Sequence, residues 1–290
     1  MRVLVTGAGG MVGRAVVEYC GSIGDRVLPY DHASLDIGDP DRVMQTFRQD
    51  KPDVVINCAA WTDVDGCERD KERAFTANAG GPENLANASS EMKAVLVTIS
   101  TDYVFDGEKE GFYTQRDQPN PQSVYGVSKL EGERRAQLAH ARTIIVRTGF
   151  VFGRGGDNFL STIIERAGRG EKLKAIRDAY GTPAYAPDLA RRLRELAQLD
   201  LPGTFHVVNA GDGTSYEEFA RAALDAAGYS ATDVESVTMD SLHRAAPRPR
   251  NSRLKCLLSE AVGLAPLPFW KDSIRSFAAR SSRQEVAAKN

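Results

Sequence analysis

Cysteine is scarce and shows no pairing pattern: Cys20, Cys58, Cys67 and Cys256 have no C-x-x-C spacing and form no framework of bridges. That excludes a disulfide-stapled scaffold and points to free thiols in a reducing compartment. His32, His140, His206 and His243 are scattered, with no H-E-x-x-H or similar ligand spacing, so no metal is expected. No run approaches 18 consecutive apolar residues, which excludes a membrane-spanning helix. The opening "MRVLVTGAGG" enters a strand-like run at once and lacks the layout of an export signal. A cytoplasmic setting is the expectation. Charge of one sign is also lacking. With a formal net charge of −2 there is no global positive field for nucleic acid or an anionic membrane. Any polyphosphate must be bound locally. There is no internal repeat and no low-complexity block.

What is present is an alternation. Short β-branched runs at 2–7, 26–31, 53–60, 94–101 and 142–149 read as buried strands. Helical stretches at 11–24, 40–51, 72–92 and 124–141 lie between them. Strands alternating with helices of this length predict βαβ units: an α/β, Rossmann-type doubly wound parallel sheet, covered on both faces. After about residue 150 the rhythm loosens into helical stretches around 158–169, 187–199 and 215–227, with "TFHVVNA" (204–210) as one more strand. We therefore expect a dinucleotide-binding domain over 1–150. A smaller, mainly substrate-binding C-terminal lobe would follow over 151–285, with a segment near 180–210 returning to the sheet.

Gly7-x-x-Gly10-x-x-Gly13 sits directly after the first strand and opens the first helix. Gly7 permits the tight turn, Gly10 lets backbone N–H groups approach a pyrophosphate, and Gly13 lets helix and strand pack closely. The helix N-terminus supplies unpaired donors to the phosphates. Asp31 closes the second strand, where a carboxylate can accept from both ribose hydroxyls and repel a 2′-phosphate, favouring NAD(H). The nearby Arg26 and His32 instead suit NADP(H), so the cofactor preference stays open. Asp36 either lies under the adenine or caps the next helix at "DPDR".

Tyr125 and Lys129, in "SVYGVSKLEGE" (123–133), are four apart and share a helix face. The fourth strand ends at Ser100-Thr101, where a hydroxyl and a phenol can meet over a nicotinamide. A nearby ammonium and the positive nicotinamide ring would lower the pKa of the tyrosine and suit it to giving a proton to a carbonyl oxygen as hydride arrives at carbon. Gly126 and Gly132 each cost about 1 kcal/mol in a helix. Close approach of a ligand or tight helix packing explains both glycines equally.

These elements in order resemble the extended short-chain dehydrogenase/reductases. The stretches "PDVVINCAAWTDVDGCE" (52–68), "STDYVFDG" (100–107), "YGVSKLEGE" (125–133), "GDNF" (156–159) and "RPRNSRL" (248–254) are similar to the dTDP-4-dehydrorhamnose reductase family. The resemblance implies a catalytic trio in which Thr101 holds the substrate C4 oxygen and Tyr125 protonates it. Lys129 would bind the nicotinamide ribose and tune Tyr125. It places Gly7, Gly10, Met11 and Val12 on the cofactor loop, with Ala59, Ala60 and Thr62 lining the cofactor. Asp102, Phe150 and Asn158 would face the sugar nucleotide. The family often has glutamine at Met11 and commonly tryptophan at Phe150, and the second departure bears on which sugar is taken.

"RAAPRPRNSRLK" (244–255) carries five cations and no carboxylate. It reads as a solvated surface or as a clamp for a nucleotide diphosphate, with Arg248 the best candidate. His206 reads as a core residue. The leading function is NAD(P)H-dependent reduction of the 4-keto group of a nucleotide-linked 6-deoxyhexose, with a homodimer left open. The alternatives are a nucleotide-sugar epimerase or dehydratase, which would need a further base that only Asp102 offers, and a silent dinucleotide-binding regulatory subunit.

Overall fold

Four of the five β-branched runs, 2–6, 54–57, 95–101 and 143–148, are buried on both faces, the condition for parallel strands covered by helices, and 26–30 is the partly exposed edge strand. Strands β1 (Arg2–Thr6), β2 (Arg26–Tyr30), β3 (Val54–Asn57), β4 (Val95–Thr101) and β5 (Thr143–Thr148) lie in the order β2-β1-β3-β4-β5. The strand Gly203–His206 adds beside β5, and every pairing in this sheet is parallel. The computed structural model describes residues 1–231 and 234–287. Helices α1 (Met11–Ser22) and Ala186–Leu199 cover one face, over Val3, Val5, Val16, Ile56 and Leu193. Helices α2 (Pro40–Asp50), Gly81–Met92 and Val124–Ala139 cover the other, over Leu4, Phe47, Leu85 and Leu96. This is the doubly wound Rossmann-type fold that the alternation predicts.

The strand order reverses between β1 and β3, and ligands of such sheets lie at the carboxyl ends of the strands beside the reversal. Thr6 Oγ1 donates to Asn57 Oδ1 at 2.7 Å, and Asn57 Nδ2 donates to Thr98 Oγ1 at 2.8 Å. This short ladder ties the ends of β1, β3 and β4 together.

One helix differs from expectation. The stretch 72–92 is interrupted by a π-helical turn, Thr76–Gly80, between helices Lys71–Phe75 and Gly81–Met92. The wider turn lets Asn78 hydrogen-bond Ser128 Oγ and both the N–H and the carbonyl of Trp61. It also explains Gly132, where a Cβ would lie 2.1 Å from the Asn78 carbonyl oxygen. At Gly126 a Cβ would meet the Tyr103 carbonyl oxygen at 2.3 Å. Both glycines serve packing between chain segments.

In the second lobe, helices Phe159–Gly168, Tyr216–Ala226 and Trp270–Ala287 surround Phe152, Tyr185, Phe219 and Trp270. Short strand pairs join Val151–Phe152 to Ala184–Tyr185, and Tyr180–Gly181 to Thr214–Ser215. Among the described residues, no helix is long and apolar enough to cross a membrane.

His206 ends the strand beside β5 and is buried in the core, as expected. Its Nδ1 donates to the carbonyls of Tyr113 and Lys255 at 3.2 and 3.1 Å, and Nε2 has no partner among the described residues. Burial first, then the charge of Arg147, holds its pKa down at about 4. Because the unfolded chain takes up this proton near pH 6.5, the stability from a neutral His206 is complete above that pH. It should be lost progressively as pH falls to about 4, by up to about 3 kcal/mol. Urea unfolding between pH 7 and 4.5 checks this: His206→Gln should flatten the acid limb of stability relative to wild type.

Candidate active site

The glycine loop is built for close contacts. Gly7 has φ +66°, and a Cβ there would lie 2.7 Å from the Ala59 nitrogen, so only glycine lets the β1 and β3 loops meet. A Cβ on Gly13 would fall 2.1 Å from the Gly7 carbonyl oxygen. Gly10 is the N-cap of α1 and offers no side-chain cap, leaving the first-turn N–H groups to a phosphate. Arg14 Nε donates to the Gly9 carbonyl at 2.8 Å and steadies the loop.

Beside this loop runs a cleft of about 970 Å³. Gly7, Gly10, Asp31, Asp36, Ala59 and Ala60 all line it. Asp31 accepts from Ser34 N at 2.9 Å and Ser34 Oγ at 2.6 Å, and these bonds hold its carboxyl below the usual range. Asp36 accepts from Gly38 N at 2.8 Å, while Asp39 is the residue that caps α2. Leu35 and Ile37 add an apolar wall, and Arg73 stacks on the Trp61 ring at 4.4 Å. An uncapped helix start, a carboxylate at the end of β2 and a flat apolar wall together fit a dinucleotide.

Four residues expected at ligands take other places. Thr62 is exposed and lies off the cleft lining. Met11 faces the second lobe, where Asn158 Nδ2 approaches its sulfur at 3.6 Å. Asn158 caps Phe159–Gly168: it accepts from Ser161 N at 3.1 Å and donates to the Gly153 carbonyl at 2.8 Å. Its amide is spent on the helix start, which leaves it little to offer a sugar. Val12 packs on the sheet core beneath the loop.

Thr101 and Tyr125 come together, the Thr101 hydroxyl within hydrogen-bonding reach of the phenol. Ser123 caps the helix Val124–Ala139 through Gly126 N, which sets Tyr125 in the first turn. Tyr125 is buried with Cys67 and Ala74 and meets the Tyr103 ring edge-to-face at 5.9 Å. Burial pushes its phenol up, with the neighbouring Thr101 hydroxyl pulling the other way. Lys129 Nζ donates to the Ile99 carbonyl at 2.7 Å, and burial lowers its own pKa to about 8. Glu133 and Cys58 oppose that fall.

Thr101 Oγ1 donates to Asp102 Oδ1 at 3.0 Å. Burial raises Asp102 to about 6, against the hydroxyls of Ser252 and Thr101. Among the described residues its Oδ2 has no hydrogen-bond partner, and it faces Gly149, where a Cβ would come within 2.4 Å. Phe150 adopts φ +43°, a strained conformation for a bulky residue, and its ring stacks on Tyr216 at 4.2 Å. Phe150, Tyr103, Tyr216, Arg244 and Arg248 line a tight pocket of about 10 Å³. The basic run around Arg248 is largely paired: Arg250 binds Asp178 and Asp240, and Arg248 forks onto Asp65.

Sequence reasoning missed Tyr103, Tyr216, Arg244 and the ion pair of Glu133 with Arg147. Tyr103 and Glu133 lay inside stretches singled out for other residues. Tyr216 had no signal beyond an ordinary helix start.

The sequence profile described as the RmlD substrate binding domain matches residues 1–283. A dTDP-4-dehydrorhamnose reductase of Mycolicibacterium smegmatis is 37% identical over 278 residues, covering 94% of this chain and 84% of the relative. The crystal structure of a dTDP-4-dehydrorhamnose reductase from Clostridium acetobutylicum superposes with a TM-score of 0.93 at 37% identity, covering 97% of this chain and all of that one. That of Bacillus anthracis, in complex with NADP, gives 0.93 at 34% identity over 96% of this chain and 99% of the other. With a profile spanning nearly the whole sequence and relatives matched end to end, the chain belongs to the dTDP-4-dehydrorhamnose reductase family.

Proposed function

We propose that this protein reduces the 4-keto group of a nucleotide-linked 6-deoxyhexose with NAD(P)H, converting dTDP-4-dehydrorhamnose to dTDP-L-rhamnose or a close analogue in deoxysugar biosynthesis. The observation that carries the reading is the meeting of Thr101 with buried Tyr125 at the carboxyl end of β4, in the same parallel sheet whose first strand leads into the Gly7–Gly13 loop. The nicotinamide, when bound, supplies the hydride. Tyr125 is the acid: burial keeps the phenol protonated, so a proton is at hand for the carbonyl oxygen as negative charge develops there. Thr101 Oγ1 sits beside it to hold that oxygen. Lys129, tethered to Ile99, supports the ribose. Arg248 and Arg244 supply positive charge for the diphosphate at the edge of the second lobe. The four unpaired thiols suit a reducing cytoplasm.

The test follows reduced-nicotinamide absorbance with dTDP-4-dehydro-6-deoxyhexoses, with NADH and NADPH in parallel. Absence of turnover despite tight cofactor binding would sink the substrate assignment. Asp31 then decides between the cofactors. Its carboxylate, at the end of β2, would repel a 2′-phosphate, so Asp31→Ser is expected to raise the NADPH-to-NADH ratio of kcat/KM about tenfold. An unchanged ratio would remove Asp31 from cofactor choice.

A further inference from the structure

The short helix Val64–Arg69 takes no part in the chemistry above, yet two of its carboxylates reach out to other elements. Asp65 Oδ1 accepts from Ala246 N at 2.8 Å and from Arg248 Nη1 at 3.0 Å, while Oδ2 accepts from Arg248 Nη2 at 2.8 Å. Glu68 Oε1 accepts from Val124 N at 2.8 Å, the first N–H of the helix that carries Tyr125 and Lys129. Between the two carboxylates, Cys67 is buried against Tyr125. Gly66 packs so closely that a Cβ there would lie 2.9 Å from the Trp61 ring, and Trp61 lines the dinucleotide cleft. One short helix therefore touches the cleft, the helix of the acid, and the cation of the second lobe.

We infer that this helix is a three-way brace in which Glu68 positions Tyr125 and Asp65 positions Arg248. The inference rests on the reading above, in which Tyr125 is the acid and Arg248 faces the nucleotide diphosphate. Both carboxylates are positioning residues, since they act through Val124 and Arg248. A helix start leaves its first N–H groups unpaired. Here Ser123 takes Gly126 N and Glu68 takes Val124 N, and a carboxylate suits the positive end of the helix. Without Glu68 the turn bearing Tyr125 frays and the phenol leaves its place beside Thr101. The paired N–H···O bonds from Arg248 to Asp65 fix the plane of a guanidinium that is only 12% exposed. Without Asp65 that fork loses its orientation.

The test uses the full-length chain and the variants Glu68→Ala, Glu68→Gln and Asp65→Ala. It measures turnover with NADPH and the keto sugar, binding of dTDP and of NADPH by calorimetry, and hydrogen exchange at the Val124 and Gly126 amides. Glu68→Ala should lower kcat about tenfold, leave both KM values in place and speed exchange at Val124, whereas Glu68→Gln keeps an acceptor oxygen and restores most of both. Asp65→Ala should weaken dTDP binding about tenfold and raise the nucleotide-sugar KM, without moving NADPH affinity or Val124 exchange. Active wild type with unmoved kcat, KM and exchange in the variants overturns the brace and leaves the reductase reading standing. Equal losses in every measure also overturn it, reducing the helix to a packing element. Should wild type neither turn over nor bind dTDP, the reductase reading falls. Exchange at Val124 in Glu68→Ala then still decides the Glu68 arm: faster exchange supports it and unchanged exchange overturns it.

Discussion

Tyr125→Phe is expected to fold, to bind NADPH as wild type does, and to lose about 100- to 10,000-fold in kcat. The ring space is unchanged, because phenylalanine fills the same volume among Cys67, Ala74 and the Tyr103 ring. What goes is the phenolic proton placed beside Thr101. Bulk water cannot easily replace it, since the phenol is only 9% exposed. The variant also separates two roles. Thr101→Val removes the hydroxyl that holds the carbonyl oxygen and leaves the acid in place, so its loss should be smaller. Single-turnover measurement of nicotinamide oxidation, with cofactor affinity read from fluorescence, checks both. A Tyr125→Phe rate within threefold of wild type would mean that another group protonates the sugar. The nearest alternative is Asp102, whose carboxyl is pushed up to about 6 by burial.

The largest expected effect on stability lies one helical turn beyond Lys129. Glu133 and Arg147 form a buried ion pair, their side chains 4% and 8% exposed, with the guanidinium bonded to both carboxylate oxygens at 2.9 and 2.7 Å. Ser100 Oγ donates to Glu133 Oε1 at 2.5 Å, and Arg147 also lies over the Phe105 ring at 5.2 Å. Removing one member strands the other as an uncompensated buried charge, so Arg147→Met should cost about 3–5 kcal/mol of folding stability. The double variant Glu133→Gln/Arg147→Met leaves no stranded charge and should cost less than Arg147→Met alone. Urea unfolding of the two single variants and the double variant reads the coupling directly. Additive losses would show that the two groups act independently. Because Ser100 precedes Thr101, the pair also ties the substrate-facing end of β4 to the helix carrying Tyr125 and Lys129, and Arg147→Met should slow turnover even where it remains folded.

Several parts of the site were written in local order along the chain. The glycine spacing after β1, the Tyr125/Lys129 interval and the end of β4 at Thr101 each depend on residues a few positions apart. Hydrophobic periodicity placed the strands because a parallel strand must be apolar on both faces, whatever it pairs with. The family resemblance added Asp102, Phe150 and the loop residues, and it did less well where side-chain geometry decided the matter. Asn158 is taken up by capping its own helix, and Met11 by contact with the second lobe. The spacing sets Lys129 on the face of Tyr125, while the hydrogen bond of its ammonium to the Ile99 carbonyl became visible only in the packed structure.

Sequence alone determined the doubly wound sheet and put forward the glycine loop and Tyr125 as the candidates for cofactor and acid, because short-range spacing and burial pattern carry that information. Tertiary structure decided the rest. The Asp65–Arg248 pair joins residues 183 apart, and the Arg147–Glu133 pair depends on β5 meeting a helix across the sheet. The π-turn that aims Asn78 at Trp61 depends on a facing glycine from another helix. Pairing and close approach between distant segments are settled only when the chain packs, since each partner is, in its own local sequence, an ordinary charged or small residue.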